Sequence, residues 1–310
     1  MSILQAIILG IVQGLTEFIP ISSTAHLVLA GRVMKLSLGP EQTTAAIAVI
    51  QLGTVVALLA YFADDIWNIT RSFLRDHLAL LRGGNASPDR PNPGKRLSQD
   101  ARLGWLVFIG SIPVGVVGLL FKEQIEGVFT KNLWVIATMM VSVALLLLVA
   151  ELVSKKQRRM EELNLKDALA LGSAQCLALI PGSSRSGSTI MAGLLAGETR
   201  ETAARFSFLL SIPAVTGSGL LELKEAIHKL PAGHLQALLV STIVAGIVGY
   251  ASIWFLLRFL RTHTTGIFIG YRLIVGTAIL ILLFGGLISP LNRSGAPGPG
   301  RSTPAASVVK

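Results

Sequence analysis

GIVQGLTEFIPISSTAHLVL, residues 10 to 29, is an apolar stretch that carries Glu17, His26 and a Ser22-Ser23-Thr24 cluster around Pro20. Ionisable groups in so apolar a segment are costly and point to function. Proline removes a backbone donor and disfavours helix in the residue before it, whereas serine caps a new helix well. The stretch therefore predicts two half-helices folded back as a re-entrant hairpin rather than one kinked span. Residues 171 to 191, LGSAQCLALIPGSSRSGSTIM, repeat the plan: a Leu-Gly start, a Gln, an Ile-Pro and paired serines, with Arg185 where the first copy has Thr24. One copy brings a carboxylate and an imidazole, the other a guanidinium. Together they predict a composite site that neither half forms alone.

The rest of the chain supplies the setting. Of 310 residues, 52% are apolar and 14% charged, against about 25% charged in an average soluble protein. Several runs reach the roughly 20 apolar residues that cross a bilayer. The chain reads as an all-α polytopic membrane protein with six transmembrane helices, near 42–62, 102–121, 131–153, 202–222, 235–258 and 267–288. With the two re-entrant broken-helix hairpins they make one integral membrane domain of two repeats, about 1–153 and 166–290. The tail from 291 has too little apolar surface to order itself. The first thirty residues lack the basic start and cleavage site of a secretory signal and are expected to remain. Residues 64–83 alternate polar and apolar at helical spacing and read as an interfacial helix, followed by a Pro/Gly/Asn-rich loop at 85–100. Pro113 and Pro213, each in a Ser-Ile-Pro, read as a further trace of duplication. Met139-Met140 read as lipid-facing, and Glu151 and Glu222 as lying at the headgroup level.

A net charge of +10 would suit a nucleic-acid partner in a soluble chain. Here the cations crowd into short loops, which points to membrane orientation and no nucleic acid. They concentrate between the first two spans and again at Lys155, Lys156, Arg158, Arg159 and Lys166, with only Lys122 and Lys131 in the turn between. The basic-loop rule puts both rich loops in the cytoplasm. Three crossings then separate the hairpins, so they dip from opposite faces, the first from outside. Inverted-topology repeats whose broken helices meet at mid-depth can hold a buried anion. The single Cys176 excludes an internal disulfide and a thiolate cluster. His77, His228, His234 and His263 lack paired ligand spacing, which disfavours zinc.

In PGSSRSGST, Gly182, Ser183, Ser184, Ser186, Gly187 and Thr189 form a small-residue turn that lets backbone approach a ligand, and Arg185 adds a donor fork that matches phosphate oxygens. The motif lacks the Lys-Ser/Thr ending and preceding strand of a nucleotide loop. In the first segment Gln13 and Glu17 share a helical face, as do Ser22 and His26, and Ser23 is also within reach of His26. Ser22 and Thr24 add hydroxyls for a phosphate. Serine beside histidine makes a nucleophile and base, with water activated by His26, or His26 itself, as the alternative nucleophiles; Glu17 could orient the histidine, act as general acid/base or hold a divalent cation. The alternative is that the hydroxyls and His26 satisfy one another while Arg185 merely holds the repeats together. Both motifs in one chain favour catalysis.

At these residues the sequence resembles the bacterial undecaprenyl-pyrophosphate phosphatase family, also called the bacitracin-resistance proteins. QGLTEFIPISSTAHL at 13–27 and ALIPGSSRSGST at 178–189 carry the resemblance, with QLG at 51–53 and TAARFSFLLSIP at 202–213 in similar positions. It extends from about Ser2 to Ser289. The resemblance implies a homodimeric enzyme of the bacterial inner membrane that hydrolyses a long-chain polyprenyl diphosphate lipid to the monophosphate carrier. It further implies a site open to the outer side of that membrane and dependent on Mg2+ or Ca2+. By matching motif, Glu17 falls in the acidic motif, Ser23 and His26 in the serine/histidine motif, and Arg185 in the phosphate-binding motif. Gln13 stands where some members have Glu, and an amide serves neither as a base nor as a carboxylate ligand. The competing reading is a polyprenyl-phosphate transporter on the same inverted-repeat plan, which has no use for a nucleophile and base.

Overall fold

A computed structural model describes residues 1–34, 36, 40–82, 97–121, 132–229 and 235–291. Most of the Pro/Gly-rich loop, the turn with Lys122 and Lys131, the side chains of Glu222 and His228, His234 and the tail from 292 lie outside the described residues.

Helix α1 (Ile3–Phe18) begins on a capping box between Ser2 and Gln5 and stops before Pro20. Helix α2 (Ser23–Val33) starts after Ser22, which takes a left-handed φ of 79°. The end of α2 returns to the start of α1, where the Gln5 amide donates to the Met34 carbonyl at 3.2 Å. The two half-helices thus fold back on each other rather than forming one kinked helix. The second copy of this hairpin begins with α7 (Leu165–Gln175), capped by Asn164 and Asp167, and passes through a 3-10 turn at Cys176–Leu179. Helix α8 (Arg185–Leu195) follows Ser184, at φ 68°. Arg158 closes this hairpin, forking onto Asp167 at 2.6 and 2.7 Å and donating to the Ala196 carbonyl at 3.0 Å.

The two copies keep one spacing throughout. Helices α2 and α8 start at Ser23 and Arg185, and α1 and α7 at Ile3 and Leu165, a separation of 162 in each case. Arg185 therefore occupies the structural place of Ser23, not of Thr24. Aligning the two Ile-Pro pairs misleads by one residue; the left-handed cap serines, Ser22 and Ser184, are the matching pair.

The remaining helices are α3 (Pro40–Tyr61), α4 (Ala63–Leu81), α5 (Gln99–Leu120), α6 (Leu133–Val153), α9 (Arg200–Lys229), α10 (Leu235–Leu260) and α11 (Gly266–Phe284). Among the described residues five helices, α5, α6, α9 (over Arg200–Leu221), α10 and α11, are long and apolar enough to cross a membrane, and α3 passes that test together with α4, from which it is bent by 63°. The chain is thus an all-α polytopic membrane protein. The amphipathic α4 anchors its successor: buried Asp76 accepts the Ser98 amide at 2.7 Å, just before α5.

Helix α1 lies along α10, and α7 lies along α5. At the open end of the first hairpin Met1 packs with Ala46 and Leu238, near the starts of α3 and α10. At the open end of the second, Arg102 near the start of α5 donates to the Leu163 carbonyl, and that region shares a cavity with Leu260 and Arg261 at the end of α10. The hairpins therefore open at opposite ends of α10. The α5–α7 contact is backbone to backbone: a Cβ on Gly172 would lie 2.0 Å from the Gly110 carbonyl oxygen.

Several expectations change here. Pro113 lies in α5, the second long helix after its hairpin apart from α4, and Pro213 in α9, the first after its own. The two Ser-Ile-Pro segments are not matching positions; they face each other, with the Ser111 hydroxyl donating to the Leu210 carbonyl at 3.1 Å. Met140 is fully buried among Ile136, Ile279 and Leu283 rather than facing lipid. Glu151, near the end of α6, is buried because Arg200 and Thr265 reach it: Arg200 Nε donates at 2.9 Å and the Thr265 hydroxyl at 2.7 Å. His77 lies within α4, in keeping with the helical reading of 64–83, and accepts from the Trp105 indole at 3.0 Å.

In the loop between α8 and α9, Glu198 is fully buried, with both carboxylate oxygens unpartnered among the described residues. Burial, reinforced by the Asp167 carboxylate and opposed by Arg158, pushes it up to about 8 from an ordinary 4.5. The folded chain thus holds a proton that the unfolded chain releases. This contribution to stability is complete below the unfolded value and is lost as pH rises through the folded one. Glu198→Gln is expected to flatten the fall in thermal midpoint between about pH 5 and 9. Equal slopes for variant and wild type would reject this assignment.

Candidate active site

The proline breaks place the first residues of α2 and α8 opposite the last turn of α1. Glu17, in that turn, accepts three hydrogen bonds: from the Ser23 hydroxyl at 2.9 Å, the Gln13 amide at 3.2 Å and Arg185 Nη2 at 2.9 Å. The last is an ion pair between groups only 10% and 13% exposed. Arg185 Nη1 is buried and has no partner among the described residues. The guanidinium thus has one arm engaged and one arm open.

His26 faces elsewhere. Its Nδ1 lies 2.7 Å from the Ser22 carbonyl and its Nε2 2.7 Å from the Tyr271 hydroxyl, with the two rings stacked at 5.5 Å. A carbonyl only accepts, so Nδ1 carries a proton, and in the neutral ring the Tyr271 hydroxyl donates to Nε2. Ser23 and His26, predicted to meet, have their hydrogen bonds on different partners.

The serine-rich turn divides by task. Gly182, Ser184 and Arg185 line a cavity with Ser22, Ser23 and Thr24. Ser183 and Thr189 are buried and turned inward, Ser183 donating to the Ile180 carbonyl at 2.6 Å and Thr189 to the Arg185 carbonyl at 2.8 Å. Ser186 and Gly187 are buried too: Ser184 Oγ lies 3.3 Å from Ser186 Oγ and accepts the Gly187 amide at 3.2 Å. Gly182, at φ 93°, packs so closely that a Cβ would lie 2.1 Å from the Ile136 carbonyl oxygen. No other residue fits there.

Sequence reasoning missed the group that holds both breaks. Arg272 of α11 is fully buried and donates five hydrogen bonds, to the carbonyls of Met139 and Met140 in α6, Pro20 at the first break, and Gly182 and Ser183 at the second, at 3.0 to 3.4 Å. Tyr271 beside it holds His26. The available signal was a Tyr-Arg pair inside an apolar span, where a cation is costly.

The cavity measures about 600 Å3, with a polar end at Glu17, Ser23 and Arg185 and an apolar remainder from Val114 and Leu119 of α5 and Val215 and Leu221 of α9. A Cβ added at Gly115 or Gly217 would meet nothing within 4 Å, so the space between these helices is open. That shape takes an amphiphile with an anionic head. Among the described residues no three His, Cys, Asp or Glu converge as a metal cluster. Glu17 offers one carboxylate, and the Gln13 amide bound to it has a buried, unpartnered oxygen. This donor set suits a hard cation that takes most of its ligands from phosphate and water. A second cavity, about 650 Å3, lies at the start of α5 among paired charges such as Arg205–Asp65 and Arg261–Glu201 and contains none of the predicted site residues.

Comparison with known proteins agrees with this geometry. Residues 6–278 match the family described as bacitracin resistance protein BacA. A protein of Syntrophobacter fumaroxidans named undecaprenyl-diphosphatase is 48% identical over 286 residues, covering 92% of this chain and 98% of its own. Proteins of the same name from Chlorobium luteolum and Mycolicibacterium vanbaalenii are 46% and 44% identical, each across 94% of this chain and 100% of their own length. Similarity of that extent, through both broken hairpins, makes the chain a member of the BacA bacitracin resistance family.

Proposed function

We propose that Glu17, which holds the Ser23 hydroxyl and the Arg185 guanidinium across the two helix breaks, is the centre of a lipid diphosphate hydrolase. The chain is an undecaprenyl-diphosphatase: it hydrolyses undecaprenyl diphosphate to undecaprenyl phosphate and inorganic phosphate, which recycles the carrier lipid of cell-wall synthesis and gives bacitracin resistance. The single observation that carries the residue assignment is the shared Glu17 carboxylate, at 2.9 Å from both partners.

Ser23 Oγ attacks the terminal phosphorus and passes its proton to Glu17, while Arg185 Nη1 meets the phosphoryl oxygens as charge develops. The bond from phosphorus to the bridging oxygen breaks, and undecaprenyl phosphate leaves as an anion that needs no proton. Water then displaces Ser23 Oγ from phosphorus, Glu17 returns its proton to Ser23, and both protons of the water leave on the released dihydrogen phosphate. A divalent cation, held by Glu17 and the Gln13 amide oxygen, would neutralise phosphate charge when bound. His26 acts through its bond to the Ser22 carbonyl, fixing the turn that presents Ser23.

Two further readings belong to this proposal. Hairpins that open at opposite ends of α10, with α1 on α10 and α7 on α5, support inverted-topology repeats. The cavity lies towards the ends of α5 and α9, away from the Arg- and Lys-rich segments at their starts, which supports a site opening to the outer side. The opposed hairpins also favour a second activity, movement of the polyprenyl phosphate between leaflets.

The test is phosphate release from a long polyprenyl diphosphate by purified protein in detergent, with and without Mg2+ or Ca2+, beside folded Ser23→Ala and His26→Ala samples. Cation-dependent release is expected, with Ser23→Ala at least about tenfold slower than His26→Ala. If His26→Ala is the slower of the two, the proton goes to the imidazole and not to Glu17.

A further inference from the structure

Gln175 ends α7 at the point where the helix tightens into its 3-10 turn, and it is the counterpart of Gln13. In the first hairpin the residue four further on is Glu17, which accepts the Gln13 amide. In the second, that position is Leu179, so Gln175 has no such acceptor. Gln175 is only 1% exposed, and neither its amide nitrogen nor its amide oxygen has a partner among the described residues. Both a donor and an acceptor withheld from water and from protein are uncommon, because such groups are costly to leave unmade.

Gln175 lines the same cavity as Arg185, whose Nη1 is also buried and unpartnered. The residues that line the cavity thus include two with a buried donor that has no partner among the described residues. Terminal phosphate chemistry uses only the Arg185 side, where Glu17 and Ser23 lie. Gln175 lines the cavity together with the apolar Ala178, Leu179 and Ile180, and a Cβ added to Gly118 of α5 would lie 4.0 Å from Leu179. A lipid diphosphate has two phosphoryl groups, and the one attached to the chain must lie between the reacting phosphorus and the apolar groove.

We propose that Gln175 is a positioning residue whose amide nitrogen donates to the phosphoryl group retained on the lipid. This rests on the phosphatase reading of the cavity. A contact to the retained group is made by substrate and product alike, so it sets binding rather than the chemical step.

The experiment compares wild type with Gln175→Leu in detergent, measuring kcat, KM and inhibition by polyprenyl monophosphate and by inorganic phosphate. Gln175→Met, of similar length, is the second variant if the branched side chain does not fold. The expected result is a rise of at least about tenfold in both KM and the monophosphate inhibition constant. Meanwhile kcat stays within about threefold and inhibition by inorganic phosphate is unchanged. Unchanged KM and monophosphate inhibition would overturn the proposal. So would a fall in kcat with both inhibitors weakened equally, which is the mark of a structural role. If wild type releases no phosphate, it is the phosphatase reading that fails; equilibrium binding of the monophosphate to the same proteins then still decides on Gln175, equal affinities counting against it.

Discussion

Replacing Arg185 by Lys is expected to lower kcat/KM by about 10²–10³ while leaving the protein folded. Arg185 does two things at once: Nη2 binds Glu17 at 2.9 Å and Nη1 stays open. An ammonium is one point of charge on a flexible stem and does not serve a carboxylate and a phosphoryl group in fixed relative positions. It does still pair with Glu17, so the contact across the two breaks survives and the thermal midpoint is expected to change little. Rates at limiting substrate, normalised to folded protein, make the check. A Lys variant within about threefold of wild type would show that charge alone suffices and that the fork has no part in catalysis.

Arg272→Met is expected to act on the fold first. The substitution keeps an unbranched chain but strips the guanidinium from five carbonyls, two on α6 and three at the breaks. The two α6 carbonyls keep their helix bonds, whereas each buried acceptor left unpaired at the breaks costs about 1–3 kcal/mol, although the losses at one site do not add. A total of about 3–5 kcal/mol is a reasonable scale and corresponds to a fall of roughly 10 °C in thermal midpoint. Activity per folded molecule is expected to fall with it, because Ser23 and Arg185 both follow the breaks that Arg272 holds. Arg272→Lys retains a donor and should recover part of the stability. A Met variant as stable and active as wild type would mean that the breaks hold their shape unaided.

Much of the architecture was legible because its signals are local. Pro20 and Pro181 punctuate two apolar runs, each followed by serines that start a new helix, and the hairpins stand where those residues put them. The long apolar helices were legible for the same reason, although α9 runs past the expected 202–222 to Lys229. Facing was not. Met140 and Glu151 look peripheral when only sequence neighbours are considered, and become core residues once α11 and the start of α9 pack on α6. The one-residue error in matching Arg185 came from treating Ile-Pro as the landmark, whereas the backbone repeats at the left-handed serines.

The site followed the same division. Glu17, Ser23 and Arg185 were legible as residue types expensive to keep in a membrane, and they converge. The partnership of Ser23 with His26 was inferred from helical spacing, which fixes distance along a helix but not what stands opposite. Opposite His26 stands Tyr271, distant in sequence. Opposite Ser23 stands Glu17, from the preceding half-helix. Arg272 was passed over because the span containing it was counted as apolar without asking what its one cation would bind.

The position of Arg272 also bears on how the protein is made. The hairpin that carries Glu17 leaves the ribosome well before the residue that grips its break, which belongs to α11, the last helix among the described residues. Until that helix arrives, the carbonyls of Pro20, Gly182 and Ser183 lack the donor that the finished protein gives them. Synthesis stopped between α8 and α11 therefore yields a chain that has Glu17, Ser23 and Arg185 and lacks the guanidinium that ties their two breaks together.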